Sequence, residues 1–257
     1  MKGHVQISPI PGVPDIAPGD DLVTITGDCL ADQGGLADGD ILCLAHKIVS
    51  KAEGNVVDLT QITPSEEACA IAEELNKNPA KVDVILGQSN HVVRALKRPE
   101  QNEGTLICEH RLGFISANAA VDESNTAGDN KVITLPDDPD ASARRLGRAL
   151  EDRFGVTIGI VITDTFGRPW RLGQVNVAIG LYRVPAKTSD IGGEDAWGRP
   201  LSVTEPALSD ELAAASGLVV AKAAKTPLVL MRGVEWIPED TTSARDILRA
   251  SKEDMFR

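Results

Sequence analysis

The stretch Val156-Thr157-Ile158-Gly159-Ile160-Val161-Ile162, followed by Thr163-Asp164-Thr165-Phe166-Gly167-Arg168-Pro169-Trp170-Arg171, decides the fold. Its opening run, nearly all apolar and mostly β-branched, predicts a strand buried on both faces. The strand is expected to stop at Ile162 and give way to a polar turn between Asp164 and Arg171. A carboxylate and a hydroxyl side by side at a strand end are hard-oxygen ligands suited to Mg²⁺ or Mn²⁺. Arg168 and Arg171 can clamp phosphate or carboxylate oxygens in bidentate fashion. Metal and anion clamp on one turn suggest phosphoryl chemistry, with Asp164, Arg168 and Arg171 as candidate catalytic residues. The plainer alternative is that Asp164 and Arg168 cap the turn and pair with each other.

Outward from this strand, helices and strands mix without a strict βαβ rhythm, so an α+β fold is favoured over a doubly wound sheet. Asp21 is expected to cap a short helix through Thr26, and Ile41–Ala45 reads as a strand after the Asp38-Gly39-Asp40 turn. Thr63-Pro64-Ser65-Glu66 reads as a capping box opening a helix to about Asn76, followed by a short helix over Pro79–Leu86. Strands are expected at Leu106–Glu109, Gly113–Ala117, Val175–Leu181 and Leu228–Arg232. Asp138 and Gly155 bracket a helix over Pro139–Phe154. Thr204 is read as the cap of Pro206–Ser216, and Thr242–Arg257 as an amphipathic helix.

Composition narrows the function. A formal charge of −12 over 257 residues speaks against general nucleic-acid binding, which needs a basic face. A small anionic ligand needs only a local knot of cations. Cys29, Cys43, Cys69 and Cys108 show no CxxC or Cys/His spacing and read as reduced thiols of a cytoplasmic protein. No apolar run is long enough to span a membrane. Neither a GxxxxGK[ST] loop nor a GxGxxG fingerprint occurs, so any nucleotide is held by a less common fold.

Three further polar clusters share the character of the Asp164 segment. Asn118-Ala119-Ala120-Val121-Asp122-Glu123-Ser124-Asn125 offers Asp122 as a second carboxylate for a shared metal and Asn125 as a phosphate or nucleotide contact. Its plainer reading is a turn whose Asn and Asp bond their own backbone. His46-Lys47-Ile48-Val49-Ser50-Lys51 brings cations and a hydroxyl directly off a strand end, although Lys47 and Lys51 also fit a solvated helix face. His46 has no partner histidine nearby in sequence. Glu109-His110-Arg111 reads as a surface salt bridge.

Taken together these segments resemble one family, the coenzyme F420-0:L-glutamate ligases, over essentially the whole chain and in the expected order. The matching strings include Ile10–Ile16, Ala45–Gly54, Ser116–Asn125, Leu135–Ala143, Ile162–Arg171, Ala178-Ile179-Gly180 and Ala244–Arg249. The resemblance implies one mixed-sheet α+β domain over residues 1–257, built as two intertwined lobes and working as a homodimer. It implies GTP as co-substrate, Mg²⁺ or Mn²⁺ at two sites, and K⁺ as a further cation. The terminal carboxylate of F420-0 would become an acyl phosphate, the amine of L-glutamate would attack it, and further γ-linked glutamates could follow. By position, Asp122 and Asp164 match the first metal site and Thr165 a contributor to the second. Asn125, His46, Lys47 and Lys51 match GTP contacts, and Val13, Pro14, Asp15 and Ile16 match a segment that touches the nucleotide.

Departures cluster near this site. Ala120 stands where the family has a glycine, Lys222 near a metal-binding carboxylate, Leu112 for a second histidine, and Asn176 in a turn that often reads Gln-Thr-Asp. They leave open a related amide ligase with a different anionic carboxylate acceptor, or a non-catalytic nucleotide- or F420-binding homologue.

Overall fold

A computed structural model describes residues 3–126, 128, 130–220 and 225–255. The chain runs β1 (Gln6–Ile10), α1 (Leu22–Asp32), β2 (Ile41–Ala45), α2 (His46–Ala52), β3 (Val56–Asp58), α3 (Glu66–Leu75), α4 (Pro79–Gly87), β4 (Ser89–Leu96), β5 (Thr105–His110) and β6 (Ile115–Ala117). It continues with β7 (Lys131–Ile133), α5 (Pro139–Phe154), β8 (Gly159–Arg168), β9 (Arg171–Tyr182), α6 (Leu208–Ser216) and β10 (Leu228–Arg232). The fold is α+β. A five-stranded mixed sheet has the order β1-β10-β2-β8-β9, in which only β2 and β8 are parallel neighbours. A three-stranded sheet β4-β5-β6 and a β3-β7 pair complete it. Among the described residues no helix is long and apolar enough to cross a membrane.

The apolar runs of β2 and β8 sit where their composition demands. Ile41, Leu42, Leu44, Ile160, Val161 and Ile162 are fully buried in the main core. The amphipathic helix α5 adds Leu146 and Leu150 to this core. Its cap is as expected, with the Asp138 side chain accepting from Ala141 N, and Gly155 closing the helix at φ +68°. A second core gathers Ala68, Ala72, Leu75, Val82, Ile85, Leu106 and Val132 from α3, α4, β5 and β7. The chain leaves the first core after α2, builds the second, and returns through α5.

Several expected boundaries move. Strand β8 does not stop at Ile162 but runs on to Arg168 and folds back as β9, because Thr163 to Gly167 pair with Gln174 to Ala178. Residues 164–171 are therefore a long hairpin and not a turn. Helix α1 extends past Thr26 to Asp32. Ser65, not Thr63, caps α3, accepting from Ala68 N. Thr204 caps nothing; its carbonyl accepts from Asp190 N, and α6 begins after Ala207. The tail forms short 3₁₀ turns at Ala244–Ile247 and Ser251–Glu253 instead of an amphipathic helix, since Ser243 Oγ and Ala244 N are tied to Asp140 on α5.

Candidate active site

Strand β2 ends at Ala45 and α2 begins at once, so the first helical side chains leave the edge of the central sheet beside β8. His46 is buried there, with Nδ1 3.1 Å from Ser50 Oγ. Its Nε2 lies 3.3 Å from Asp164 Oδ1, an ion-pair distance without hydrogen-bond alignment. Asp164 also takes the backbone N–H of Thr165 at 2.7 Å. Between Ile162 and Thr163 the β8–β9 register slips by one residue, which re-aims the strand at this point.

One residue along α2, Lys47 Nζ donates to Asp122 Oδ2 at 2.5 Å and also to Ser124 Oγ. Asp122 is anchored to Ile133 by both backbone hydrogen bonds and accepts from Ser124 N at 2.7 Å. Burial opposes ionisation of Asp122, but the bonds from Lys47 and Ser124 outweigh it and hold its pKa below the usual carboxylate range. One turn further, Lys51 is pushed down by burial and by the neighbouring charges of Lys47 and Lys225, against the pull of Asp15. Lys225 bonds Asp15 at 3.3 Å. In a chain of net charge −12, three lysines thus converge beside two carboxylates.

His110 completes the group. Strand β5 alternates buried and half-buried residues, and Leu106, Cys108 and His110 all fall on the buried side. The surface reading is therefore corrected for His110, whereas its neighbours do face outward, Glu109 toward His91 at 3.8 Å and Arg111 to Asp137 at 2.5 Å. Burial first, and Arg111 second, lower the His110 pKa to about 4 against the nearby charge of Asp164. The ring is neutral at pH 7. Its Nδ1 accepts from Leu112 N at 3.0 Å, which assigns the proton to Nε2. That Nε2 is buried without a partner, as are Ser116 Oγ and Asn118 Oδ1 on the adjoining strand and turn. Orphaned buried polar atoms of this kind ask for a ligand or water. The alternation of β5, which puts His110 in phase with Leu106 and Cys108, is the signal that the surface reading of His110 passed over.

The structure brings His46, Lys47, Lys51, Asp122 and Asp164 together, with the Val13–Ile16 segment beside them through Asp15 and the buried Ile16. It does not bring Arg168 and Arg171. They face each other at the hairpin tip, about 13 Å along the strand from Asp164, and Arg168 donates to Leu172 O. Thr165 and Asp164 project to opposite faces of the ladder, and Thr165 Oγ1 donates to Asn176 Oδ1 at 2.8 Å. Asn125 is exposed at φ +61°. Lys222 lies outside the described residues. Among the described residues no group of three or more His, Cys, Asp or Glu is spaced to hold a metal. The Lys47 ammonium on Asp122 shows that this position accepts a cation.

The chain matches the family described as F420-0:Gamma-glutamyl ligase over residues 12–233. It belongs to that family. The coenzyme F420:L-glutamate ligase of Methanopyrus kandleri is 42% identical, the comparison covering 98% of both chains. The enzyme of the same name from Methanothermobacter thermautotrophicus is 38% identical over 98% of this chain and 99% of the relative. That from Methanocaldococcus jannaschii is 38% identical over 86% of each.

Membership gives the turn before Asp122 added interest. Asn118, Ala119 and Ala120 all adopt left-handed backbone, at φ +55°, +47° and +59°, a conformation costing about 1–2 kcal/mol per non-glycine residue. Replacing Ala120 with glycine is expected to stabilise the protein by about 1 kcal/mol in urea unfolding. No gain would mean that packing of the Ala120 methyl offsets the strain. The His110 environment gives a pH dependence with a definite sign. The folded pKa of about 4 lies below the ordinary 6.5, so its contribution is complete above 6.5. It is lost as pH falls from there toward 4. His110→Gln is expected to flatten the stability curve between pH 6.5 and 5, measured by thermal unfolding; an unchanged slope would refute the burial-driven shift.

Proposed function

We propose that this protein joins L-glutamate to coenzyme F420-0 with GTP as phosphoryl donor. The supporting observation is that consecutive residues at the start of α2 meet two carboxylates, His46 on Asp164 and Lys47 on Asp122, with Lys51, Lys225 and Asp15 grouped one turn further along, in a chain of this family. A carboxylate is a poor electrophile until one oxygen becomes a leaving group. In the proposed reaction a carboxylate oxygen of F420-0 bonds to the γ-phosphorus of GTP, and the bond to the bridging oxygen breaks to release GDP. The amine nitrogen of glutamate then bonds to the acyl carbon, the carbon–oxygen bond breaks, inorganic phosphate leaves, and the amine proton passes to solvent.

The lysines suit the phosphates as point charges. Asp122 and Asp164 would hold Mg²⁺ or Mn²⁺, since hard carboxylates with substrate phosphates are the ordinary environment of such an ion; Lys47 must then leave Asp122. An ion held there would supply positive charge against the phosphoryl group being transferred. The neutral His110 can donate from Nε2. The same reading makes the enzyme a cytoplasmic homodimer of two interleaved lobes, with K⁺ and a second divalent ion as added cations and with further γ-linked glutamates as products. Arg168 and Arg171 have no part in it within one chain. Mass spectrometry of F420-0 incubated with the protein, L-glutamate, GTP and Mn²⁺ tests the reading. Increments of one or more glutamyl units are expected; an unchanged F420-0 mass with a folded protein would refute it.

A further inference from the structure

The segment that carries Asp122 is gripped from both cores of the molecule. Ala120 belongs to the first core and Val121 to the second, so the segment starts at the seam between them. Its next residues turn alternately to the two sides. Asp122 and Ser124 meet α2, where Lys47 Nζ donates to both side chains. Glu123 meets α4, where Lys81 Nζ donates to Glu123 Oε2 at 2.7 Å across 42 residues of sequence. Helix α4 is itself seated in the second core through Val82 and Ile85.

Lys81 is badly placed for its own helix. It is the third residue of α4, after the Asn78 cap whose side chain accepts from Ala80 N and Lys81 N. The positive end of the helix dipole disfavours a cation there. The Lys81 side chain is only 6% exposed, so its ammonium has also lost most of its hydration. Compensation comes from two carboxylates, Glu123 at 2.7 Å and Glu103 at 3.8 Å, and Glu103 lies closer to Lys77, at 3.2 Å. A buried ion pair adds little net stability over an apolar side chain of similar volume. What it adds is a fixed partner at a fixed distance. The backbone bonds of Asp122 to Ile133 fix the start of the segment, and the Lys81–Glu123 pair fixes its continuation.

We infer that Lys81 is a positioning residue for the candidate active site: through Glu123 it holds the 122–124 segment against the second core, so that Asp122 and Ser124 are presented to α2. Its role in turnover rests on the ligase reading above. When Lys47 leaves Asp122 for a phosphate, the grip from the first core is released and the grip from α4 remains. A residue that orients a binding group from behind is typically worth about 10- to 100-fold in affinity or activity.

Lys81→Met is the test. The carboxylates it leaves behind are 44% and 55% exposed and stay hydrated, so Tm is expected to fall by no more than about 3 °C. Backbone hydrogen exchange over residues 121–124, where Asp122 N and Ser124 N are bonded, is expected to speed up about tenfold. The KM for GTP at fixed Mn²⁺ should rise about ten- to hundredfold, while that for L-glutamate stays within about twofold. Glu123→Gln should reproduce both changes, and the double variant should be no worse than either single one, because the two residues act as one unit. Lys77→Met removes a buried lysine bonded to Glu103 and should leave the exchange of the segment and both constants near wild type. An equal effect of Lys77→Met would reduce the pair to a general charge knot and overturn the inference. Unchanged exchange in Lys81→Met would overturn it as well, and so would faster exchange with an unchanged KM for GTP. Wild-type protein that yields no glutamyl product would strike the ligase reading, and the exchange result would still decide whether Lys81 holds the segment. If Lys81→Met melts early, Glu123→Gln alone is read in the same way.

Discussion

Replacing Asp164 with asparagine is expected to lower glutamyl transfer by roughly 10³-fold or more, a typical loss when a group that stabilises transition-state charge is removed. The substitution keeps the side chain's shape and removes its charge. Among the described residues Asp164 is the carboxylate that faces both buried histidines, His46 at 3.3 Å and His110 through its electrostatic influence. It lies on the rigid central strand, so its position does not depend on a loop. The fold should survive. Asparagine Oδ1 can still accept the Thr165 N–H, and the surrounding core of Ile160, Val161 and Ile162 is untouched. Product yield by mass spectrometry and the thermal midpoint together check the claim. A variant with normal stability that retains more than about a tenth of the wild-type rate would remove Asp164 from the chemistry.

How much of this was legible in the sequence depended on whether the signal was local. Helix α5 was, because Asp138 and Gly155 carry their own capping chemistry. The central strands were, because unbroken apolar runs have few other uses. The extension of β8 through Thr163 to Arg168 was not, since a Thr-Asp-Thr-Phe-Gly string resembles a turn until β9 supplies partners. Strands β1, β3, β4 and β7 are short or exposed and are defined by their neighbours rather than by composition. Within the site, Asp122 and Asp164 stood out as carboxylates next to apolar strands. Their meeting with Lys47 and His46 spans separations of 75 and 118 residues, which no spacing rule reveals. Lys225 went unremarked because its neighbour Lys222 drew the comparison. Arg168 and Arg171 failed for the opposite reason: closeness in sequence to Asp164 becomes distance when the chain is extended.

Gly180 carries the second large effect, through the packing of α5 on the central sheet. An added Cβ at this position would lie 2.6 Å from the carbonyl carbon, oxygen and Cβ of Pro139, well inside contact distance with backbone that cannot rotate away. Gly180→Ala is therefore expected to destabilise the protein by about 3 kcal/mol, a fall of roughly 6–12 °C in Tm for a chain of this size. The close approach it permits is what seats the first turn of α5 on β9, so that Asp140 can hold Leu181 N at 2.8 Å and Ser243 Oγ at 2.7 Å. Lifting α5 away would loosen those bonds. Thermal unfolding of the variant beside wild type measures the shift. An unchanged Tm would mean that α5 rides over the new methyl and that the close approach at Gly180 is not needed to seat it.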